Sequence, residues 1–579
     1  MSYFLPETAP VLTACRGLAT AHPGILAVHE DPLYLRAIAP NPHRKVALVS
    51  GGGSGHDPLH TGLLGAGGLD AVAPGKVFAS PHNRQIYEAS RDVVRTHGVL
   101  HVVKNYTGDR INFGIAAERL RADGVPVERV LVDDDIASSG AGAGRRGTAA
   151  TVVVEKLLGA AADRGRGLLE LADLGRDIVA RSRSLAVCAR AHTTPGQGRP
   201  AFMLRSDRID YGVGIHGERA AHTMPMPRVD DLLRQMLGDL TDGTPHPDDG
   251  VILVVNGLGG TALLELQALA DLAAEQLTED GVHVAAVLTG THVGALDMSG
   301  FSLTITALRP GWLDLWRAPA RTPLTAWPQA TALPRPLAAP AEPVKDTPAP
   351  SPSAPVPAGS SALLDRYADI VRSVHPALTV LDQLAGDGDF GDNLAGGLSM
   401  ALSRARETGE DGMTAAASVF LDEVGGSSGP LFGLLFQALG AATGSTPAGT
   451  HPPVPALAAA LAAGTEAICR IGGAGLGDRT MVDALVPAVR SLQSATTEKG
   501  AVTAAARAAA AGALTTADLS GGRGRSSYLG ARVLGHPDPG AVGAALLLHA
   551  AAHVYEPTAA ASLPGPSRIA HTTPTPTTA

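Results

Sequence analysis

Only three cysteines, Cys15, Cys188 and Cys469, occur in 579 residues, and they lie far apart. Neither a disulfide framework nor a thiolate metal spacing can be built from them, which fits a reducing compartment. A basic stripe is missing too. Net charge is −9, and the arginine pair in GAGRRGT (142–148) is not a patch. Nucleic acid, which selects for clustered Lys and Arg, is therefore not an expected partner. No uncharged apolar run long enough to cross a bilayer stands out, so no membrane partner is expected. The start MSYFLPETAP lacks the basic residues and apolar run of a signal peptide, and a cytoplasmic protein is expected. No G-x-x-x-x-G-K-[ST] occurs, which removes the P-loop as a way of holding phosphate.

What is present is a globular balance, 45% apolar and 17% charged residues. The length calls for roughly two to four domains. Proline-dense PRPLAAPAEPVKDTPAPSPSAPVPAGSS (334–361) blocks helix and sheet alike. It divides the chain into a domain at 1–333, a linker at 334–360, a domain at 361–562 and a disordered tail at 563–579. The first domain alternates short β-type runs with helical stretches such as 113–122. RKVALVSGGGSGH reads as strand then glycine loop, GVLHVVKNYTGD as strand then polar loop, and VPVERVLVDDDIA as strand then acidic loop. GVILVVNGLGG and VHVAAVLTG repeat the pattern. This is an α/β fold, whose sites form where the loops leave the carboxyl ends of strands. The second domain shows helical spacing throughout, as in SALLDRYADIVRSV and AVGAALLLHAAAHVY, and reads as all-α.

Several stretches carry chemistry, each beside a plainer alternative. LDQLAGDGDFGDN (381–393) crowds carboxylates among glycines. Asp382, Asp387 and Asp389 can face one point and hold a hard cation such as Mg²⁺ or Ca²⁺, or they can form a solvated acidic turn. An EF-hand fails, since Gly391 and Leu398 stand where ligands would be required. GGSSGPLFG (425–433) can present backbone N–H groups to an anion or serve as a close helix contact. It also satisfies G-x-S-x-G with Ser427 as a hydrolase nucleophile, but a helix rather than a strand is predicted before it. GLGDRTMVDAL can lay Asp478, Arg479 or Thr480 along a nucleotide, and GGRGRSSYLG offers Arg523 and Arg525 to phosphates. In SGGGSGHDPLH (50–60) the glycines permit close ligand approach, with His56 and Asp57 beyond, or simply turn the chain. Lys104 and Asp109 of KNYTGDRINFG can reach a small polyol or form a surface salt bridge. His216 of GVGIHGE is an accessible imidazole able to attack a carbonyl, or an ordinary loop histidine.

Taken in order, these stretches, with GKVFASP, GRRGTAATVVVEK, LDMSGFSLT and DPGA, strongly resemble the single-chain ATP-dependent dihydroxyacetone (glycerone) kinase family along nearly the whole chain. The resemblance implies a ketone-binding domain followed by a helical-barrel domain binding ATP with two Mg²⁺ ions. His216 would hold the substrate carbonyl as a covalent hemiaminal, with His56 and Asp109 drawing the proton from the attacking hydroxyl. Gly53, Ser54, Lys104 and Asp109 would bind the ketose. Asp382, Asp387 and Asp389 would hold the metals. Ser427, Ser428, Gly429, Thr480, Met481, Arg525, Asp538 and Gly540 would bind the nucleotide. A homodimer is implied, in which each chain's substrate domain serves the other's nucleotide domain. Relatives divide between dihydroxyacetone and four-carbon ketoses such as erythrulose. Some relatives of the substrate domain are non-catalytic sensors, and some relatives cleave FAD to a cyclic flavin product. Asp57, Arg219, Phe390 and Asp392 depart from the family's usual residues, touching the ketone pocket and the fine metal geometry.

Overall fold

A computed structural model describes residues 3–139, 144–194, 198–218, 220, 222–325, 358–385, 388–443, 452–523 and 533–570. They form two compact units, the first carrying the described residues through Thr325 and the second those from Ala358.

The first unit holds two six-stranded sheets. In one, β1 (Leu26–Glu30), β2 (Leu33–Ala37), β3 (Ala47–Ser54), β4 (Ala71–Val77), β5 (Val99–Lys104) and β6 (Val127–Val132) lie in the order β1-β2-β4-β3-β5-β6. Strands β4, β3, β5 and β6 run parallel, and β1 and β2 extend the sheet antiparallel. β3 and β5 are buried almost throughout, as their near-continuous apolar runs require. The chain passes from β3 to β4 on one side and then to β5 on the other. The carboxyl ends of β3 and β5 therefore border a topological switch point, where α/β sheets place ligands. The second sheet takes β7 (Ser182–Arg190), β8 (Arg208–Tyr211), β9 (His222–Pro225), β10 (Val251–Gly257), β11 (Val284–Gly290) and β12 (Ser299–Ala307) in the order β11-β10-β12-β7-β8-β9. Only β10 and β11 pair parallel in it.

One local expectation is corrected here. The glycine run reads as a loop in the sequence, but β3 continues through Gly53 to Ser54. A Cβ at Gly51 would stand 2.3 Å from the Ala73 carbonyl oxygen, and one at Gly53 would stand 2.8 Å from the Phe78 carbonyl carbon. The glycines let backbone pack on backbone rather than ending the strand.

The described part of the second unit is helical, with no strand. Its longer helices are Ala358–Ala385, Phe390–Thr408, Gly412–Asp422, Ser428–Thr443, Val454–Gly472, Val482–Gln493, Ala501–Thr515 and Pro539–Tyr555. They share one core in which Tyr367, Leu398, Phe420, Phe432, Phe436 and Leu461 are buried. Small residues bring the helices close: a Cβ at Gly543 would meet the ring tips of Phe390 and Phe432 at 2.9 Å each. Helix Val454–Gly472 is long and apolar enough to span a bilayer by length and composition, although it carries the charges of Glu466 and Arg470. Its Leu457, Leu461 and Ile468 are buried in this core. Two boundaries also move. Helix Ala358–Ala385 starts inside the expected linker. Within the stretch 563–579 expected as a tail, Pro566–Ile569 forms a short helix with Ile569 and Ala570 buried in the core, and residues 571–579 lie outside the described residues.

Candidate active site

In the first unit the site grows from the ends of β3 and β5. His56 follows β3 and is buried. Its Nδ1 donates to the Gly294 carbonyl at 2.9 Å, which leaves the lone pair on Nε2. That nitrogen lies 3.0 Å from Nε2 of His216, on the connection from β8 to β9. On the far side of the His216 ring, Nδ1 stands 3.2 Å from Glu218 Oε1, and the His216 backbone N–H donates to Glu218 Oε2 at 2.9 Å. Gly214 makes this fold-back possible, since a Cβ there would sit 2.2 Å from Glu218 Oε2. Burial alone would raise the Glu218 pKa, but His216 and Arg146 hold it well below the usual carboxylate range. The opposite holds for His56, which burial and then His216 and Lys104 push far down. A carboxylate, an imidazole and a neutral imidazole thus stand in line. Two aromatic rings wall them: the Phe78 and Tyr106 centroids lie 5.6 and 4.4 Å from that of His216.

Lys104 ends β5, and Asp109 lies in the first turn of helix Thr107–Ala122 that follows. Their expected alternative, a surface salt bridge, is excluded by burial, 0% and 3% exposed. Lys104 Nζ is 3.7 Å from Asp109 Oδ2, and Asp109 Oδ1 is buried with no hydrogen-bond partner among the described residues. Such an orphaned oxygen is costly unless something binds it. Gly52 faces the same pair, and a Cβ there would fall 2.2 Å from Lys104 Nζ and 3.5 Å from Asp109 Oδ2. Ser54 Oγ donates to the Gly75 carbonyl at 2.8 Å, tying β3 to β4. Asp57 is exposed and accepts from the Gly55 N–H at 3.1 Å. Ser54 and Asp57 both line a groove of about 580 Å³ that also takes in Cys15 and His22.

In the second unit Asp382 stands in the last turn of helix Ala358–Ala385 and Asp389 caps helix Phe390–Thr408. Asp382 Oδ2 accepts from the backbone N–H groups of Gly388 and Phe390 at 2.9 and 3.0 Å, so this carboxylate shapes the loop between them. Both offer oxygen alone, and Asp382 is buried. That donor set fits Mg²⁺ rather than a thiolate- or imidazole-seeking metal. The third expected ligand, Asp387, lies outside the described residues, as do Arg525 and Arg219. Phe390 turns into the core against Phe432, and Asp392 pairs with His375 Nε2 at 2.8 Å.

Ser428 and Gly429 begin helix Ser428–Thr443, with Ser427 just before it. The preceding element is helix Gly412–Asp422, so the strand of a hydrolase elbow is missing. Met481 caps helix Val482–Gln493, and Asp538 caps helix Pro539–Tyr555 by accepting from the Ala541 N–H at 2.8 Å. A Cβ at Gly540 would lie 3.2 Å from Asp538 Oδ1 and 3.8 Å from Met481 Cβ, so these three meet. The Thr480 N–H donates to Asp483 at 2.8 Å, and Asp478 accepts from the Gly475 N–H at 2.8 Å. Gly543, one turn beyond Gly540, touches Phe390 and Phe432. The N-terminal ends of the helices starting at Phe390, Ser428, Val482 and Pro539 therefore gather at one end of this unit. The positive ends of their helix dipoles favour an anion there.

Sequence reasoning missed Glu218, Phe78 and Tyr106 as parts of these sites. Glu218 was within reach, since it stands two residues after His216 in the same glycine-bounded turn. Arg479 is fully buried, donates to the His536 carbonyl at 2.8 Å and lies 3.8 Å from Asp538.

The two units coincide with two domain families. A Dak1 domain matches residues 16–324 and a DAK2 domain matches residues 384–553. The human triokinase/FMN cyclase is 37% identical, over 94% of this chain and 97% of that protein. The L-erythrulose 1-kinase of Mycolicibacterium smegmatis is 34% identical, over 93% and 96%. The crystal structure of the dihydroxyacetone kinase from C. freundii in complex with AMP-PNP and Mg²⁺ is 29% identical with a TM-score of 0.52, over 95% and 99% of the two chains. The chain belongs to the dihydroxyacetone kinase family.

Proposed function

We propose that the protein transfers the γ-phosphate of ATP to a terminal hydroxyl of dihydroxyacetone, giving dihydroxyacetone phosphate, with the ketone held as a hemiaminal on His216. The observation that carries this reading is the row Glu218–His216–His56 beside the buried Lys104–Asp109 pair. Glu218 accepts from His216 Nδ1–H throughout, and because His56 donates from its own Nδ1, the second proton of a cationic His216 lies between the two rings at rest. His216 Nε2 becomes a nucleophile by yielding that proton to His56. Its lone pair then bonds to C2, the C=O π pair moves onto oxygen, and that oxygen takes the proton back from His56. Glycerol has no carbonyl and cannot be held this way, so the tether selects by functional group.

Lys104 holds the substrate's hydroxyls beside Gly52 and Gly53. Asp109 then accepts the proton of the terminal hydroxyl as its oxygen bonds to the γ-phosphorus and the bond to the β–γ bridging oxygen breaks, releasing ADP. Two Mg²⁺ ions on Asp382, Asp387 and Asp389 would neutralise phosphate charge. The residues around Ser427–Gly429, Thr480–Met481, Arg525 and Asp538–Gly540 hold the nucleotide. The Mg²⁺–AMP-PNP complex of the C. freundii relative supports this part of the reading. We also propose a cytoplasmic homodimer.

The test is ADP release from the full chain with ATP and Mg²⁺. Dihydroxyacetone-dependent release, absent with glycerol, is expected. Release that ignores the ketone contradicts the proposal. A second reading keeps the chemistry and changes the substrate to a four-carbon ketose, favoured by the similarity to an L-erythrulose 1-kinase. It would show as a higher kcat/KM for erythrulose in the same assay.

A further inference from the structure

Behind the ketone pocket lies a buried chain of polar groups that the reaction above leaves unused. Glu155, on helix Ala150–Asp163, is fully buried, and its Oε1 is 2.6 Å from Nδ1 of His60. Nε2 of His60 is 2.9 Å from Lys104 Nζ. Ser50 Oγ, which donates to the Val102 carbonyl, lies 2.9 Å from His60 Nδ1 and fixes the ring. Burial, and then the charge of Lys104, lowers the pKa of His60 and keeps it neutral. A neutral imidazole facing a carboxylate carries its hydrogen on Nδ1, so Lys104 donates to the lone pair on Nε2.

The charges around Lys104 do not balance. Two buried carboxylates, Glu155 and Asp109, share one ammonium. The short, directed bond from that ammonium runs to His60 and through it to Glu155, while Asp109 stays at 3.7 Å. The other titratable groups facing the cluster are His56, from the loop after β3, with His216 and Glu218 behind it. Arg146 is paired with Asp135 at 2.6 Å. A lysine bonded fully to Asp109 would make that carboxylate a poor proton acceptor.

We infer that Glu155 and His60 are positioning residues: they draw the Lys104 ammonium back against Gly52 and away from Asp109, leaving Asp109 able to take the substrate hydroxyl's proton. The inference rests on the kinase reading above. It adds two residues, 95 positions apart in sequence, to the machinery of that site.

The test compares the full-length protein with Glu155→Gln, which keeps the side-chain shape and removes the charge. With the carboxylate gone, the lysine's charge falls to Asp109. The acidic limb of the kcat/KM profile for dihydroxyacetone then moves to lower pH by roughly half a unit or more. At neutral pH kcat drops about tenfold or more, and KM for ATP stays the same. Formation of the ketone adduct, which belongs to His216, keeps its own pH dependence. Glu155→Asp restores the limb. A limb that stays in place, whatever happens to the rate, overturns the inference, since a merely structural glutamate would scale activity without moving it. If Glu155→Gln does not fold, His60→Asn breaks the same link and is read the same way. Loss of the fold in both variants marks the chain as structural and also overturns it. A wild-type protein without ketone-dependent ADP release sinks the kinase reading instead, and this is seen before any variant is made.

Discussion

At the scale of single residues, the site depends on atoms that are absent as much as on those present. Gly52 leaves room for the Lys104 ammonium, and even one methyl group would overlap it. Gly52→Ala is therefore expected to raise KM for the ketone about tenfold or more, as one to two kcal/mol of binding is lost, while KM for ATP is unchanged. Steady-state kinetics with each substrate varied in turn checks this, and equal effects on both would contradict it. His56, Asp109, Lys104 and His216 are individually ordinary in the sequence, where a lone histidine or a Lys/Asp pair is most often solvated. Their order along the chain made them legible, through the family resemblance rather than through any local pattern. His60 stands in the same stretch as His56, with no local pattern to mark it. Its partner Glu155 comes from a distant helix, and only the fold brings the two together.

At the scale of elements, strand and helix types followed from periodicity, because the buried parallel strands are nearly continuous apolar runs and the helices carry apolar stripes. The glycine run misled because strand and loop use glycine for different reasons: here it admits a neighbouring backbone, not a turn. Pro566 likewise opens a short helix inside the expected tail, since proline marks a helix start as readily as disorder. Two predictions belong at this scale. At Gly543 helix Pro539–Tyr555 meets the helices that carry Phe390, Phe432 and Tyr367, and Gly543→Ala should cost the helical unit about 1–3 kcal/mol through overpacking. Faster amide exchange in helix Pro539–Tyr555 would report it. Burial pushes the Asp538 pKa up to about 6 from its ordinary 3.8, against the pull of Arg479. The folded state therefore binds this proton more tightly than the unfolded chain, so the contribution is complete below the ordinary value and lost as pH rises to about 6. Protection of the same helix should fall across that window in the native protein and stay flatter in Asp538→Asn. Identical slopes in the two would refute it.

At the scale of the whole molecule, the chain forms two units with separate cores, between which the proposed reaction would be divided. On the proposed reading, one would supply the imidazole of His216 and the buried Lys104–Asp109 pair, and the other Asp382, Asp389 and a cluster of helix N-termini. Damage to one unit's chemistry should therefore leave the other's binding step standing. The division itself was legible from the proline-dense stretch between the halves. The central claim, a ketone carbon bonded to His216, is tested most directly by carbon-13 NMR of dihydroxyacetone labelled at C2 and bound to the full chain. The account predicts a tetrahedral-carbon signal from the native protein and from Asp382→Asn, and its loss in His216→Ala. A tetrahedral signal that survives in His216→Ala, or none in the native protein, would contradict it.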